Sequence, residues 1–226
     1  MSTPRSKPGI SSHDFKYRPS LFRQRQSSNE FGTASKAGGL FRQCIASLLS
    51  AAKDTTTHSR FASRMLEVLK TDTINPAGER RVENGNIKLL QGFEFNSHSS
   101  LHNILVAQYK AGINRETGEL TLSFRSFIPN QNIKAAPGTS HFKIVMAGLE
   151  ADFASDSIRE QIVESAFIPM GDLPAGDLQF TSKLTANSTL PLFMVAGIQF
   201  YDLSNGVFYP LKDKKFNPLA ILKVNT

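Results

Sequence analysis

The sequence predicts an α+β protein that is mainly β: an antiparallel β-sandwich of about nine strands preceded by a basic extended arm and an αα-hairpin. Three observations carry this. The apolar spacing is helical between residues 35 and 81 and strand-like from about Ile87 onward. Short runs rich in β-formers then recur, separated by turn residues, as in sandwiches and barrels. Charge divides the chain at the same place: residues 1–81 hold 14 Lys/Arg against 6 Asp/Glu, a net +8, and residues 82–226 hold 12 against 13, a net −1. Three segments follow, an arm over 1–34, a helical hairpin over 35–81 and a sandwich-like domain over 82–226.

The arm is expected to be extended or irregular. Pro4, Pro8, Gly9 and Pro19, with Ser pairs at 11–12 and 27–28, deny it a regular period. Aromatic, apolar and basic residues interleave within it: Phe15, Lys16, Tyr17, Arg18, Leu21, Phe22, Arg23 and Arg25. These eight are the candidate partner-binding residues. Arg and Lys suit phosphates while Phe and Tyr stack on bases, as in single-strand binding. The same apolar side chains equally suit docking on protein, either the chain's own domain or a neighbouring copy, with the charges left in water.

After Ser35, a candidate N-cap, apolar residues fall at Ala37, Leu40, Phe41, Cys44, Ile45, Leu48 and Leu49, one face of a helix ending near Lys53. Asp54 to His58 is a polar break. Thr57 or Ser59 can cap a second helix that carries Phe61, Met65, Val68 and Leu69 on one side and ends before Asn75, Pro76 and Gly78. Gly38 and Gly39 follow no strand and lack the Lys-Ser/Thr of a phosphate-binding loop, so they are read as close-packing positions. Arg60, Arg64, Arg80 and Arg81 invite comparison with a DNA-reading hairpin, yet a tight turn and a polar reading surface are missing.

The expected strands are Ile87–Phe95, Leu105–Ala111, Glu119–Ile128, His141–Leu149, Ser165–Pro169, Leu178–Leu184, Phe193–Tyr201, Val207–Leu211 and Leu219–Val224. Asn114 to Gly118 and Asn205-Gly206 are hairpin turns. Leu120, Leu122 and Phe124 alternate with Thr121, Ser123 and Arg125, so that strand has one buried and one solvated face. In contrast, Ile144–Ala147 and Phe193–Ala196 are continuously apolar. Such strands are covered on both sides, by the helical hairpin or by another subunit.

Chemistry-bearing constellations are scarce. Cys44 is the sole cysteine, which excludes an internal disulfide and a cysteine-cluster metal site. It sits in an apolar stripe and reads as a structural thiol. His98 and His102 lack a third ligand and a His-Glu-x-x-His frame. No Gly-x-Ser-x-Gly elbow occurs. The carboxylate pairs Glu150/Asp152 and Glu160/Glu164 read as loop and surface acids, the latter on a short helix over Ser157–Val163. No catalytic residue, metal or cofactor is therefore assigned.

No stretch reaches the roughly 18 apolar residues of a membrane helix, the run around Leu190–Phe200 being interrupted by Pro191 and Gly197. The N-terminus lacks the apolar block of a secretory signal. It has the Ser/Arg bias of a transit peptide, but its prolines spoil an amphipathic helix. The run from Ser28 to Arg42, SNEFGTASKAGGLFR, resembles the opening of bacterial proteins, common among Bacteroidota, that pair a basic helical front with a β-rich body. The resemblance implies a bacterial, cytoplasmic setting and brings no site residues with it. The expected function is a non-enzymatic structural subunit whose partners are copies of itself. Nucleic acid is the alternative partner, and no membrane is expected.

Overall fold

The computed structural model describes residues 9–52 and 54–226. Pro4, Pro8 and the helix end expected at Lys53 lie outside the described residues. Among them the chain begins with a short helix α1 (Ser12–Tyr17), a 3-10 turn over Pro19–Leu21, and then a 23-residue helix α2 (Phe22–Cys44). The expectation of an extended arm is corrected here. Ser11 caps α1 by accepting the Asp14 amide at 3.0 Å, and Pro19 stands at the first position of the following turn, where its missing N–H costs nothing.

Ser35 is accordingly a residue of the helix interior and not its cap. The buried side of α2 is Glu30, Ala34, Ala37, Gly38 and Phe41, so the helical stripe extends about two turns upstream of Ala37, to a buried carboxylate. At Ile45 the helix breaks, and α3 (Ala46–Ala52) continues the stripe through Leu48, Leu49 and Ala52. Helix α4 (Thr57–Lys70) packs back with Phe61, Met65, Val68 and Leu69 buried. The Phe41 and Phe61 rings meet at 5.2 Å between centroids. A Cβ on Gly38 would meet Met65 Cγ at 3.4 Å and Phe61 Cδ1 at 3.5 Å, so this glycine faces α4 at van der Waals contact. Gly39 has no such neighbour but the Arg42 side chain.

Two antiparallel sheets follow, with nine strands among the described residues. Strands β1 (Tyr109–Asn114), β2 (Glu119–Phe124) and β6 (Leu178–Lys183) form the smaller sheet in the order β1-β2-β6. The larger has six strands. Its long centre is β3 (His141–Asp152) paired with β7 (Leu192–Ser204). β4 (Ser157–Glu164) and β5 (Ile168–Pro169) flank β3, while β8 (Val207–Pro210) and β9 (Leu219–Asn225) flank β7. The single-turn helix α5 (Leu101–Ile104) precedes β1, and α6 (Pro129–Asn132) lies between β2 and β3.

The central strands are apolar on both sides because both sides are covered. Val145, Ala147, Leu149, Phe193 and Val195 join Phe41, Phe61 and Met65 in one core under the helices. Ile144, Met146, Leu192, Met194 and Ile198 join Leu120, Leu122, Phe124 and Phe180 in a second core between the sheets. The order of layers is helices, large sheet, small sheet. Of the two covers the sequence allowed, the chain's own helical hairpin supplies one. At the sandwich corners the Lys183 amide donates to Gln161 Oε1, and Lys223 Nζ donates to the Ala111 carbonyl at 3.0 Å.

Two expected elements change type. Ser157–Val163 is strand β4 and not a helix: Ile158 and Ile162 pack against the helix-side core, and residues four apart share a face in either structure, so spacing alone does not decide. Ile87–Phe95 is a 3-10 turn over Ile87–Leu90 followed by an irregular segment. That segment still bonds to β9, Gly92 N to Ile221 O at 2.8 Å and Phe95 N to Leu219 O at 2.8 Å. β1 begins at Tyr109, later than expected, and Leu105 makes only a bridge to Ile133. The Asn205-Gly206 turn has both residues at positive φ, 50° and 77°, the conformation that a two-residue hairpin demands.

Candidate functional site

The eight candidate partner-binding residues lie on a helical hook at the start of α2. Arg25 holds the hook together, its Nη1 donating at 2.9 Å to both the Phe15 and Arg18 carbonyls. Leu21 is buried and Phe15 half-buried, so these two anchor the hook to its own chain. Lys16, Tyr17, Arg18, Phe22 and Arg23 are exposed, Tyr17 by 60% and Phe22 by 56%. The eight therefore divide into three that build the hook and five that face outward.

Downstream, α2 is fastened to the turn that follows α4. Gln26 Nε2 donates to the Ala77 carbonyl at 2.6 Å, and buried Glu30 accepts the Gly78 amide at 2.8 Å with Arg80 Nη1 at 3.7 Å. Lys36 pairs with Asp156 in the β3–β4 turn, and Cys44 lies beside Glu160. The thiol is pushed up by burial, then by the Glu160 charge and hydrogen bond, which suits a structural cysteine and not a nucleophile. Helix α2 thus runs along β4 in the same direction, and the hook projects past the end of the large sheet that carries the β3–β4 turn.

The opposite end of that sheet carries the β7–β8 hairpin, since His141 opens β3 opposite Tyr201 and Ser204 lies beyond. Of the ten large apolar side chains exposed among the described residues, Ile10, Tyr17, Phe22 and Phe31 belong to the hook and α2, Leu203, Val207 and Tyr209 to the hairpin, and Ile74, Val106 and Leu173 to loops. Below the hairpin, the Phe167 and Phe208 rings stack at 3.8 Å and Lys143 Nζ sits 4.4 Å from the Phe167 centroid. Ile10, Phe31 and the hairpin side chains escaped the sequence reading, because strand alternation assigns a face without saying whether anything covers it.

The remaining polar candidates do local structural work. Glu150 is buried and accepts the hydroxyls of Ser188 and Thr185, which hold its carboxyl below the usual range against the burial that would raise it. Asp152 accepts the Ala154 and Ser155 amides of the β3–β4 turn. Glu164 pairs with Lys143 at 2.7 Å. His98 stands in the loop after Phe95, and His102 in α5, which Ser100 caps. Among the described residues no group of three or more His, Cys, Asp or Glu comes together as a metal-binding set, and no helix is long and apolar enough to cross a membrane.

Family models, curated proteins and solved structures were all compared with the chain, and nothing in them matches it.

Proposed function

We propose that this protein is a non-enzymatic, cytoplasmic structural subunit that assembles with copies of itself, the hook of one copy contacting the β-rich body of the next. One observation carries the reading: seven large apolar side chains are exposed at two opposite ends of the same sheet. Apolar side chains scattered singly need no explanation, whereas grouped ones mark contact surfaces. Charge supports a second copy as the occupant, because the front is net +8 and the body net −1. Unlike surfaces at opposite ends make a head-to-tail contact, which closes into a ring or runs on as a filament.

The test is light scattering and negative-stain microscopy of the full chain beside Phe22→Asp and Tyr209→Asp. Both residues are exposed, so the fold should survive each change. The wild type should be oligomeric or polymeric, and each variant should shift toward the monomer mass. A monomeric wild type at tens of micromolar, or variants that assemble unchanged, would reject the reading.

Nucleic acid is the second reading, favoured by Lys16, Arg18 and Arg23 exposed beside Tyr17 and Phe22. It requires binding of a single-stranded oligonucleotide that weakens steeply with salt and is lost in the Arg18→Ala/Arg23→Ala double variant. Salt-independent behaviour would reject it.

A further inference from the structure

A cavity of about 800 Å³ opens beside the helical layer, well away from the hook. Five pieces of chain meet around it: the last turn of α2, helix α3, the turn from Asp54 to His58, the loop at Asn96 to His98, and the loop from Lys212 to Lys215. Ala46 and Leu49 line it with apolar surface, and Arg42, Lys212, Lys214 and Lys215 bring cations to it. Its size is that of sites for small organic ligands, where an apolar surround and a few convergent polar groups are the usual arrangement.

The charge at this cavity is uncompensated from within. Asp54, one lining carboxylate, is saturated: it accepts the Ser97 amide at 2.6 Å, the Thr56 amide at 2.7 Å, the Thr56 and Thr57 hydroxyls, and Arg60 at 3.1 Å. Asp213, the other, caps its own turn by accepting the Lys215 amide at 3.1 Å. Arg42 is half-buried, and its Nε is committed to the Gly38 carbonyl at 3.0 Å. No carboxylate among the described residues pairs with its guanidinium. Burial lowers its pKa with no acidic neighbour to offset the effect, and a partly desolvated cation of this kind gains most from an anion brought in from outside.

We infer that this cavity binds a small organic phosphate, the phosphoryl group on Arg42 with Lys212 and Lys215, and the organic part against Ala46 and Leu49. Four cationic side chains, Arg42, Lys212, Lys214 and Lys215, line the cavity against two carboxylates, Asp54 and Asp213; Lys214 Nζ donates to the Ser50 carbonyl and Asp54 pairs with Arg60, which leaves a surplus on Arg42, Lys212 and Lys215 matched by a dianion. A guanidinium with two free Nη groups presents the planar fork that phosphate oxygens accept, and the lysines add point charge. The apolar lining distinguishes this ligand from a bare ion. No covalent step is involved.

The experiment is isothermal calorimetry of the full chain with phenyl phosphate, with inorganic phosphate and phenol as parallel arms at matched ionic strength. Phenyl phosphate should bind saturably at one site per chain, more tightly than inorganic phosphate, and phenol should not bind. Arg42→Gln should weaken phenyl phosphate by about tenfold, a typical cost for losing a charged, bidentate partner. The Lys212→Gln/Lys215→Gln variant, altered only at exposed positions, should weaken it by about threefold and decides the matter if Arg42→Gln fails to fold. No saturable binding, equal binding of inorganic phosphate, or affinity unchanged in the lysine variant would each overturn the inference. So would binding of an oligonucleotide alone at these residues. Phe22→Asp should leave the affinity as it is, which keeps this result separate from the assembly test.

Discussion

Gly148 of β3 lies directly against Ser182 of β6, so close that a Cβ on the glycine would collide with the serine hydroxyl. The contact joins the two sheets, and Ser182 is fully buried with its Oγ unpartnered. A buried hydroxyl without a partner costs free energy, and an added methyl in a packed core forces strain.

Gly148→Ala should therefore destabilise the fold by about 1–3 kcal/mol, the usual range for overpacking. Ser182→Ala should be neutral or stabilising by up to about 1 kcal/mol, since it removes a hydroxyl that bonds to nothing. The two changes share one contact, so Gly148→Ala should cost less in the Ser182→Ala background than alone. Urea denaturation of the four proteins measures this directly. Strict additivity would show that the sheets separate freely at this point.

Asp54 joins the turn before α4 to the loop at Ser97, and the hydrogen bonds it accepts hold its carboxyl far below the usual range even though burial pushes the other way. A depressed folded pKa adds stability that is complete above the unfolded value near pH 4 and is lost as pH falls below it. Asp54→Asn should cost about 2–4 kcal/mol at pH 7, the scale of breaking a buried charged network. Its deficit should narrow steadily below about pH 4. Chemical denaturation at pH 7, 4 and 3 tests the trend. A deficit that does not change with pH would place the cost in shape and not in charge.

The body was legible because its signals are local. Asn205-Gly206 must turn the chain, and Phe193–Ala196 is apolar at every position because two layers cover it. Helix α2 was half hidden. Its inner side begins with Glu30 and Ala34, and a buried carboxylate looks like a surface residue until the Gly78 amide and Arg80 appear opposite it. Strand β4 was hidden by arithmetic, Ile158 and Ile162 being four apart. The cavity at Arg42 had no signal at all, because Arg42 and Lys212 are 170 positions apart in sequence and only the return of the chain after β8 brings them to one space.

Glu94 gives the opposite pH response to Asp54. Its carboxyl is pushed up to about 7, chiefly by burial, against the Leu101 amide and the Arg60 charge that favour ionisation. One oxygen accepts Leu101 N at 3.0 Å and the other, Oε2, is buried without a partner. An acid whose folded pKa stands above its unfolded value of about 4.3 contributes stability that is complete below that value and lost as pH rises through 7. The protein should thus weaken between about pH 4.5 and 7.5, by on the order of 1–3 kcal/mol from this group. Glu94→Gln keeps an acceptor for Leu101 while carrying no charge, so it should abolish most of that decline and should be the more stable protein at pH 8. Guanidinium titrations at pH 5 and pH 8 separate the cases. If wild type and Glu94→Gln decline in parallel, the charge on Glu94 is not what the folded state resists.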